Sequence, residues 1–350
     1  MNRKEGSVTI PTLPLENGEI LQGVELAYEW IGSDSNLPVI LNCHALTGNH
    51  LAVGTEETPG WWSEVIGEKK AIDSRHFQVI TFNVLGGCNG STGPTSFNPA
   101  TGKKYQQHFP SITIRDIVNA GKRALDLLNI ERLYAVIGGS LGGMQVYEWG
   151  LLYPTFMKKL IILASTPYVS DYAIAFNHIG KSSIQLDPAW KGGEYEEDEE
   201  VRGLEIARMT GLVTYRSAKL YNDRFNRKED HSSFEVETYL DYQGKKLRQR
   251  FDPNSYITLL EAMNSHDIGR GRGGVDQAGK LYEASLYLIG FTHDLLYPPE
   301  ALKDFSQKVK ADYYEVTTDY GHDGFLTGFR EWSSLLSESL KQGKDSMILK

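Results

Sequence analysis

A serine hydroxyl attacks a carbonyl only when a neighbouring base takes its proton and a third group orients that base. Ser140 stands in Ala135-Val136-Ile137-Gly138-Gly139-Ser140-Leu141-Gly142-Gly143-Met144. Here Gly138, Ser140 and Gly142 form a Gly-x-Ser-x-Gly pattern between an apolar run and a helical one. A sharp strand-to-helix turn of this kind strains the serine backbone and exposes its hydroxyl. It needs tiny residues two positions to either side, because the strand and helix backbones meet there. The N–H of Leu141 then lies at a helix N-terminus, where it can bind a negative oxygen. Further along, the apolar run ending in Thr292-His293-Asp294 offers an acid, and Tyr320-Gly321-His322-Asp323-Gly324 offers a base in a glycine-flanked loop. The order Ser140, Asp294, His322 suits a nucleophile–acid–base triad. His44 is the rival base, but its loop, Asn42-Cys43-His44-Ala45-Leu46-Thr47-Gly48, is placed to donate a second oxyanion N–H, for which Leu46 is the candidate. Asp323 is a rival acid, but adjacent residues rarely orient one another's rings. The glycine run lacks the Gly-x-x-x-x-Gly-Lys-Ser/Thr pattern of a phosphate loop, and neither His-Glu-x-x-His nor paired Cys-x-x-Cys is present, so no metal site is expected.

These groups need a scaffold that gathers strand ends at one edge. Residues 37–42, 77–83, 133–138 and 159–164 read as short buried strands, near-continuously apolar as in a parallel sheet covered on both faces. Ile114, Ile117, Val118, Gly121, Leu125 and Leu128 share one helical face, and a second helix after Ser140 must stop before Pro154. The alternation predicts an α/β domain with a mostly parallel sheet and helices on both sides. Residues 24–30 read as an antiparallel strand at its leading edge. Between about 168 and 274 the pattern is helical without a clear buried strand, and strands return at 285–290 and 313–316. The expectation is a core of residues 1–167 and 275–350 with a helical insertion, 168–274. The acidic run 194–200 reads as a solvated loop, and residues 341–350 as frayed.

The chain has 350 residues, of which 40% are apolar and 23% charged, which excludes a disordered chain. Its longest apolar runs, such as Leu160-Ile161-Ile162-Leu163-Ala164, fall far short of the ~20 residues of a membrane span. The first residues lack the apolar core of a signal peptide. A net charge of −9 argues against nucleic acid or an anionic membrane as partner. Two cysteines, Cys43 and Cys88, make no disulfide framework, and Cys43 reads as a small buried hydrophobe, so a reducing cytoplasmic setting is expected.

Several stretches closely resemble the homoserine O-acetyltransferases of methionine biosynthesis, an α/β-hydrolase-fold family. They are residues 42–48, Pro59-Gly60-Trp61-Trp62, residues 83–94, 109–116 and 138–145, Ala207-Arg208-Met209-Thr210, Thr214-Tyr215-Arg216-Ser217 and Gly321-His322-Asp323-Gly324-Phe325-Leu326. The loop 83–94 is more family-specific than the serine motif, and the resemblance covers nearly the whole chain. It implies a ping-pong acyl transfer: acetyl-CoA acylates Ser140, and the L-homoserine hydroxyl discharges it with His322 as base and Asp294 holding the ring. It implies that Arg208 binds the substrate carboxylate, that Tyr215 assists, and that Asp323 binds the ammonium group. It further implies that the insertion forms a helical lid and a homodimer contact, with acetyl-CoA as a donor substrate and no permanently bound cofactor. The residues themselves add that Arg208 and Tyr215, seven apart, can share a helix face. Leu141 stands where many members have Met, which matters little if only its N–H acts, and Thr292-His293 precede Asp294 where a serine is common. The acidic run 194–200 is not a feature of the resemblance. The residues leave other readings open: a succinyl donor, a serine acceptor, a plain serine esterase, or a catalytically inactive binding module.

Overall fold

The computed structural model describes residues 2–341 apart from Ser35, Glu197, His231 and Ser232. A long hairpin, β1 (Arg3–Pro14) and β2 (Ile20–Ile31), leads into β3 (Val39–Cys43), the two-residue pair β4 (Ile66–Gly67) and β5 (Ile72–Asp73), and β6 (Gln78–Phe82). Then come α1 (Ile114–Leu127), β7 (Leu133–Gly139), α2 (Leu141–Leu152) and β8 (Met157–Leu163). Helices α3 (Asp171–Gln185), α4 (Gly203–Tyr215) and α5 (Ala218–Phe225) follow, then a small ladder of β9 (Glu229–Asp230) and β10 (Ser233–Phe234). Next are α6 (Glu235–Arg248), α7 (Pro253–Asn264) and α8 (Val275–Gly279). The chain returns to the sheet with β11 (Ser285–Phe291), α9 (Pro299–Val309) and β12 (Asp312–Val316), and closes with α10 (Gly324–Thr327) and α11 (Phe329–Lys341). The expected fraying of 341–350 thus concerns residues outside the description, save Lys341.

The main sheet has eight strands in the order β1-β2-β6-β3-β7-β8-β11-β12. Only the β1–β2 and β2–β6 pairings are antiparallel; the rest are parallel. The expected parallel core is therefore present, with one correction. Residues 24–30 are not the leading edge: they belong to β2, and β1 lies outside it. Val8, Ile10 and Leu13 of β1 are buried, at a spacing of two and then three, so the alternation slips across Pro11. An edge strand tolerates that proline: the ladder runs from Ile10↔Val24 to Thr12↔Gln22 with no pair at Pro11, opposite Gly23 at φ +59°. The two-residue strands β4, β5, β9 and β10 are too short to carry a periodic signal.

Two apolar layers cover the sheet. Val136 and Leu160 face one, Ile137 and Ile161 the other, which is why these strands read as unbroken apolar runs. Helix α1 begins in a capping box, with the Thr113 side chain bonded to the Asp116 N–H and the Asp116 carboxylate to the Thr113 N–H.

Helix α2 behaves differently. It is buried nearly all round, including Glu148 at 1% exposure. That carboxylate accepts from Arg115 Nε at 3.1 Å and from Arg272 Nη1 and Nη2 at 3.0 and 2.7 Å. A buried charge is tolerable only when paired in this way, and the pairing locks the helix behind Ser140 to α1 and to the loop before α8. Replacing Glu148 with Ala leaves the largely buried Arg272 without an acidic partner among the described residues, and Arg115 with only Glu16 and two backbone carbonyls. Chemical denaturation should register a loss of about 3–5 kcal/mol; a loss below about 1 kcal/mol would contradict this account of the anchor.

Candidate active site

Ser140 lies between β7 and α2 with φ +57° and ψ −124°, a conformation that L-residues adopt only under constraint. The constraint is visible around it. A Cβ on Gly138 would come within 2.5 Å of the Gly142 backbone, and one on Gly142 within 2.1 Å of the Cys43 carbonyl oxygen. Strand, helix and the loop after β3 therefore meet backbone to backbone, as the Gly-x-Ser-x-Gly reading requires. The loop after β3 brings Leu46 to the same cavity as Ser140. Neither the Leu46 nor the Leu141 N–H has a hydrogen-bond partner among the described residues, so both donors are available.

Asp294 and His322 arrive beyond the ends of β11 and β12, at the carboxyl edge of the sheet. Thr292 and Thr318 tie those ends together: the Thr292 hydroxyl donates to the Thr318 carbonyl at 2.9 Å and accepts from the Thr318 N–H at 2.8 Å. Asp294 Oδ1 accepts the N–H groups of Leu296 and Tyr297, both at 2.9 Å. That fixes the carboxylate with Oδ2 turned to His322 Nδ1, 2.8 Å away. His322 Nε2 is 2.9 Å from Ser140 Oγ. Nδ1–H donates to Asp294 and Nε2 accepts from the serine, the tautomer a general base requires. Gly321 makes the turn: at φ +57°, a Cβ there would sit 2.6 Å from the Tyr215 carbonyl oxygen. Behind it, the indole N–H groups of Trp62 and Trp332 bind the carbonyls of Phe325 and Gly324. The loop carrying the base thus rests on a tryptophan platform.

A cavity of about 240 Å³ opens over these atoms. Of the residues singled out from sequence, Ser140, His322, Leu46, Arg208, Tyr215 and Asp323 line it; Asp294 and Leu141 lie behind it, at 4% and 0% exposure. Arg208 and Tyr215 share the cavity face of α4, as their spacing implied. The Tyr215 ring centre lies 5.3 Å from that of His322, and burial raises its phenol pKa. Arg208 makes no hydrogen bond or ion pair with the described residues.

Asp323 is less free than the sequence implied. Its Oδ2 accepts Arg216 Nε at 2.8 Å, and Arg216 Nη1 donates to the Tyr239 hydroxyl at 2.6 Å. Arg216 and Arg250 also line the cavity and were missed. Arg216 follows Tyr215 directly, and that adjacency was the only signal. Arg250 follows α6, with nothing local to distinguish it from a surface arginine.

The structure also places His44 and the two cysteines. His44 is 1% exposed and is not a base toward Ser140. Its Nδ1 is 2.8 Å from the Ala45 carbonyl and its Nε2 accepts the Val84 N–H; burial lowers its pKa to about 4. Cys43 is a buried thiol whose pKa burial raises, and that of Cys88 is pushed up to about 12 by the same cause, so neither is a ready nucleophile. No group of three or more metal-ligating side chains occurs among the described residues, and no described helix is long and apolar enough to cross a membrane.

Residues 38–329 match the family described as alpha/beta hydrolase fold, and the protein is a member of that fold class. At finer grain, the homoserine O-acetyltransferase of Moorella thermoacetica is 41% identical over 350 aligned residues, covering 94% of each chain. The crystal structure of homoserine O-acetyltransferase from Bacillus anthracis superposes with a TM-score of 0.90 at 27% identity, covering 98% of both chains. That of esterase E22 also reaches 0.90, at 26% identity, covering 97% of this chain and 100% of its own. The chain belongs to the homoserine O-acetyltransferase family.

The pKa of His322 follows from this geometry. Burial alone would lower it, but the charge and hydrogen bond of Asp294 outweigh burial, Asp323 adds to them, and the net shift is upward from the ordinary 6.5. A base must be unprotonated, so activity should be lost as pH falls through a value above 6.5. Asp294→Asn should move that limb to lower pH and cut kcat by roughly three to four orders of magnitude. An acid limb that stays put in the variant would contradict the assignment.

Proposed function

We propose that this protein transfers an acetyl group from acetyl-CoA to the side-chain hydroxyl of L-homoserine through an acetyl-Ser140 intermediate, a step of methionine biosynthesis. The observation that carries the reading is the hydrogen-bonded line Asp294–His322–Ser140 opening onto a cavity that also presents Arg208 and Asp323. A plain esterase needs the first three groups; an amino-acid acceptor also needs a fixed cation and a fixed anion.

In the first half-reaction His322 Nε2 takes the Ser140 proton as Oγ attacks the thioester carbonyl. The oxyanion is held by the N–H groups of Leu46 and Leu141. Collapse expels the CoA thiolate, which takes the proton from His322. In the second half-reaction His322 deprotonates the homoserine hydroxyl, that oxygen attacks the acetyl-enzyme carbonyl, and the proton returns to Ser140 as the ester product leaves. Asp294 stabilises the imidazolium in both halves. Arg208 grips the acceptor carboxylate through two N–H groups, Tyr215 packs beside it, and Asp323, oriented by Arg216 through one oxygen, offers its other oxygen to the ammonium.

Residues 168–274 act as a lid over the core formed by 1–167 and 275–350, and they limit the access of water to the acyl-enzyme. The same helices support a homodimer. Helix α3 with its C-terminal neighbour exposes Tyr172, Ile179 and Leu186, and α4 exposes Ile206 and Val213, at helical spacings on two packed helices. Apolar stripes of this kind mark a contact surface.

Free CoA thiol should be released fast only when acetyl-CoA and L-homoserine are both present, and not with succinyl-CoA or L-serine in their place. Fast release without any acceptor would mean hydrolysis and would end the transferase reading. Arg208→Ala should lower kcat/KM for homoserine about 100-fold while acylation of Ser140 falls far less; equal loss of both half-reactions would refute an acceptor-specific role. For the dimer, sedimentation of the Ile179→Glu/Ile206→Glu double variant should give a monomer. An unchanged sedimentation coefficient would rule out this face.

A further inference from the structure

The catalytic cavity presents three guanidinium groups, Arg208, Arg216 and Arg250, against the single carboxylate of Asp323. Arg216 is paired with Asp323. A zwitterionic acceptor uses one further cation, Arg208, together with the free oxygen of Asp323. With the neutral zwitterion in place, three guanidinium groups and one carboxylate still leave an excess of two positive charges, and Arg250 is the cation among them with neither an acidic partner among the described residues nor a role toward the acceptor. Its Nη1 donates to the Thr47 carbonyl at 2.8 Å, and its other N–H groups make no further hydrogen bond with the described residues. Burial of the guanidinium, and then the like charge of Arg208, lower its pKa. Two cations facing one space without an anion between them repel each other, and an anionic ligand relieves that repulsion.

Position says which anion. Arg250 lines both the catalytic cavity and an adjoining groove of about 640 Å³. The catalytic cavity, at about 240 Å³, is too small for a nucleotide-bearing thioester. A donor whose acyl carbon reaches Ser140 must therefore run out past the cavity wall, and Arg250 stands where cavity and groove share that wall. Arg248, another cationic side chain of the groove, is bonded to Glu200 and Glu205. Lys104 lines the groove as well, but Glu196, Asp198, Glu199, Glu200 and Asp252 make its lining acidic on balance, which disfavours phosphate away from Arg250.

We propose that Arg250 is a donor-specificity residue that binds a phosphate oxygen of the acyl-CoA at the boundary between the catalytic cavity and this groove. The proposal rests on the acyl-CoA reading above. Guanidinium suits the role, since its planar fork makes two charge-assisted hydrogen bonds to phosphate. The bond to Thr47 holds the fork in place from the oxyanion loop.

The test compares acetyl-CoA with the uncharged truncated donor S-acetyl-N-acetylcysteamine at saturating L-homoserine, in the wild type, Arg250→Gln and Arg250→Lys, each checked for folding by its melting temperature. In Arg250→Gln, kcat/KM for acetyl-CoA should fall at least about tenfold more than for the truncated donor. The loss should lie mainly in KM, and the KM for acetyl-CoA should depend less steeply on salt. Arg250→Lys should recover part of the loss. Equal losses with both donors would overturn the proposal, because they would mean that Arg250 acts only through Thr47 on the oxyanion loop. A raised KM for homoserine with an unchanged KM for acetyl-CoA would also overturn it, assigning Arg250 to the acceptor. Failure of the reaction reading is separately visible: a wild type that turns over the truncated ester but not acetyl-CoA would sink both.

Discussion

The close crossing of three backbones at Gly138, Gly142 and Cys43 is the constraint on which the site depends. With no Cβ at either glycine, β7 can pass into α2 without an intervening loop, and Ser140 is held at φ +57°. That backbone presents Oγ at the sheet edge. The same turn leaves the Leu141 N–H without a partner among the described residues at the start of α2 and brings the loop after β3 alongside, with the Leu46 N–H. Ser140 Oγ and the Leu46 and Leu141 N–H groups are therefore positioned by one packing event, and little side-chain freedom remains to be lost there. The strain at Ser140 persists because α2 is anchored on its far side by the Glu148 ion pairs.

Charge divides the remaining labour. Asp294 is fixed by two backbone N–H groups before it meets His322, so its hydrogen-bonding capacity is directed to a single ring nitrogen. Asp323, the next residue after His322, faces the cavity and is steered by Arg216 instead. Two adjacent positions in one turn thus carry the imidazole bonded to Asp294 and Ser140 and a carboxylate outside that hydrogen-bonded line. The excess of guanidinium over carboxylate in the cavity suits a reaction in which a polyanionic donor and a zwitterionic acceptor visit the same serine in turn. Solved structures of similar shape include an esterase, so the scaffold alone does not choose between water and an alcohol; the cations and Asp323 on the cavity wall bear on that choice.

Much of this was legible in the sequence because it is local. The strand–Gly-x-Ser-x-Gly–helix pattern and the buried parallel strands each write their geometry into a short window, whereas Arg208 and Tyr215 stood out only through the family resemblance, their seven-residue spacing adding that they can share a helix face. The order of Ser140, Asp294 and His322 could be read once the strands were placed. Less legible were features that depend on long-range contact. Strand β1 was missed because Pro11 breaks its alternation, and this displaced β2 to an edge it does not occupy. Arg216 was marked only by its place beside Tyr215 and Arg250 by nothing local, because their significance lies in what they face, namely Asp323 from α4's end and Thr47 from beyond α6. The apolar stripes of α3 and α4 merge, in sequence, with the residues those helices bury against each other.

The central claim is that Ser140 carries the acetyl group between donor and acceptor. The most direct measurement is rapid-quench peptide mass spectrometry after mixing the protein with acetyl-CoA alone, followed by a chase with L-homoserine. The account predicts one acetyl group on the peptide containing Ser140, stable in water on the timescale of turnover and discharged to homoserine within a single turnover. An enzyme that makes product while that peptide never carries the group, or that surrenders it to water as fast as to homoserine, would contradict it.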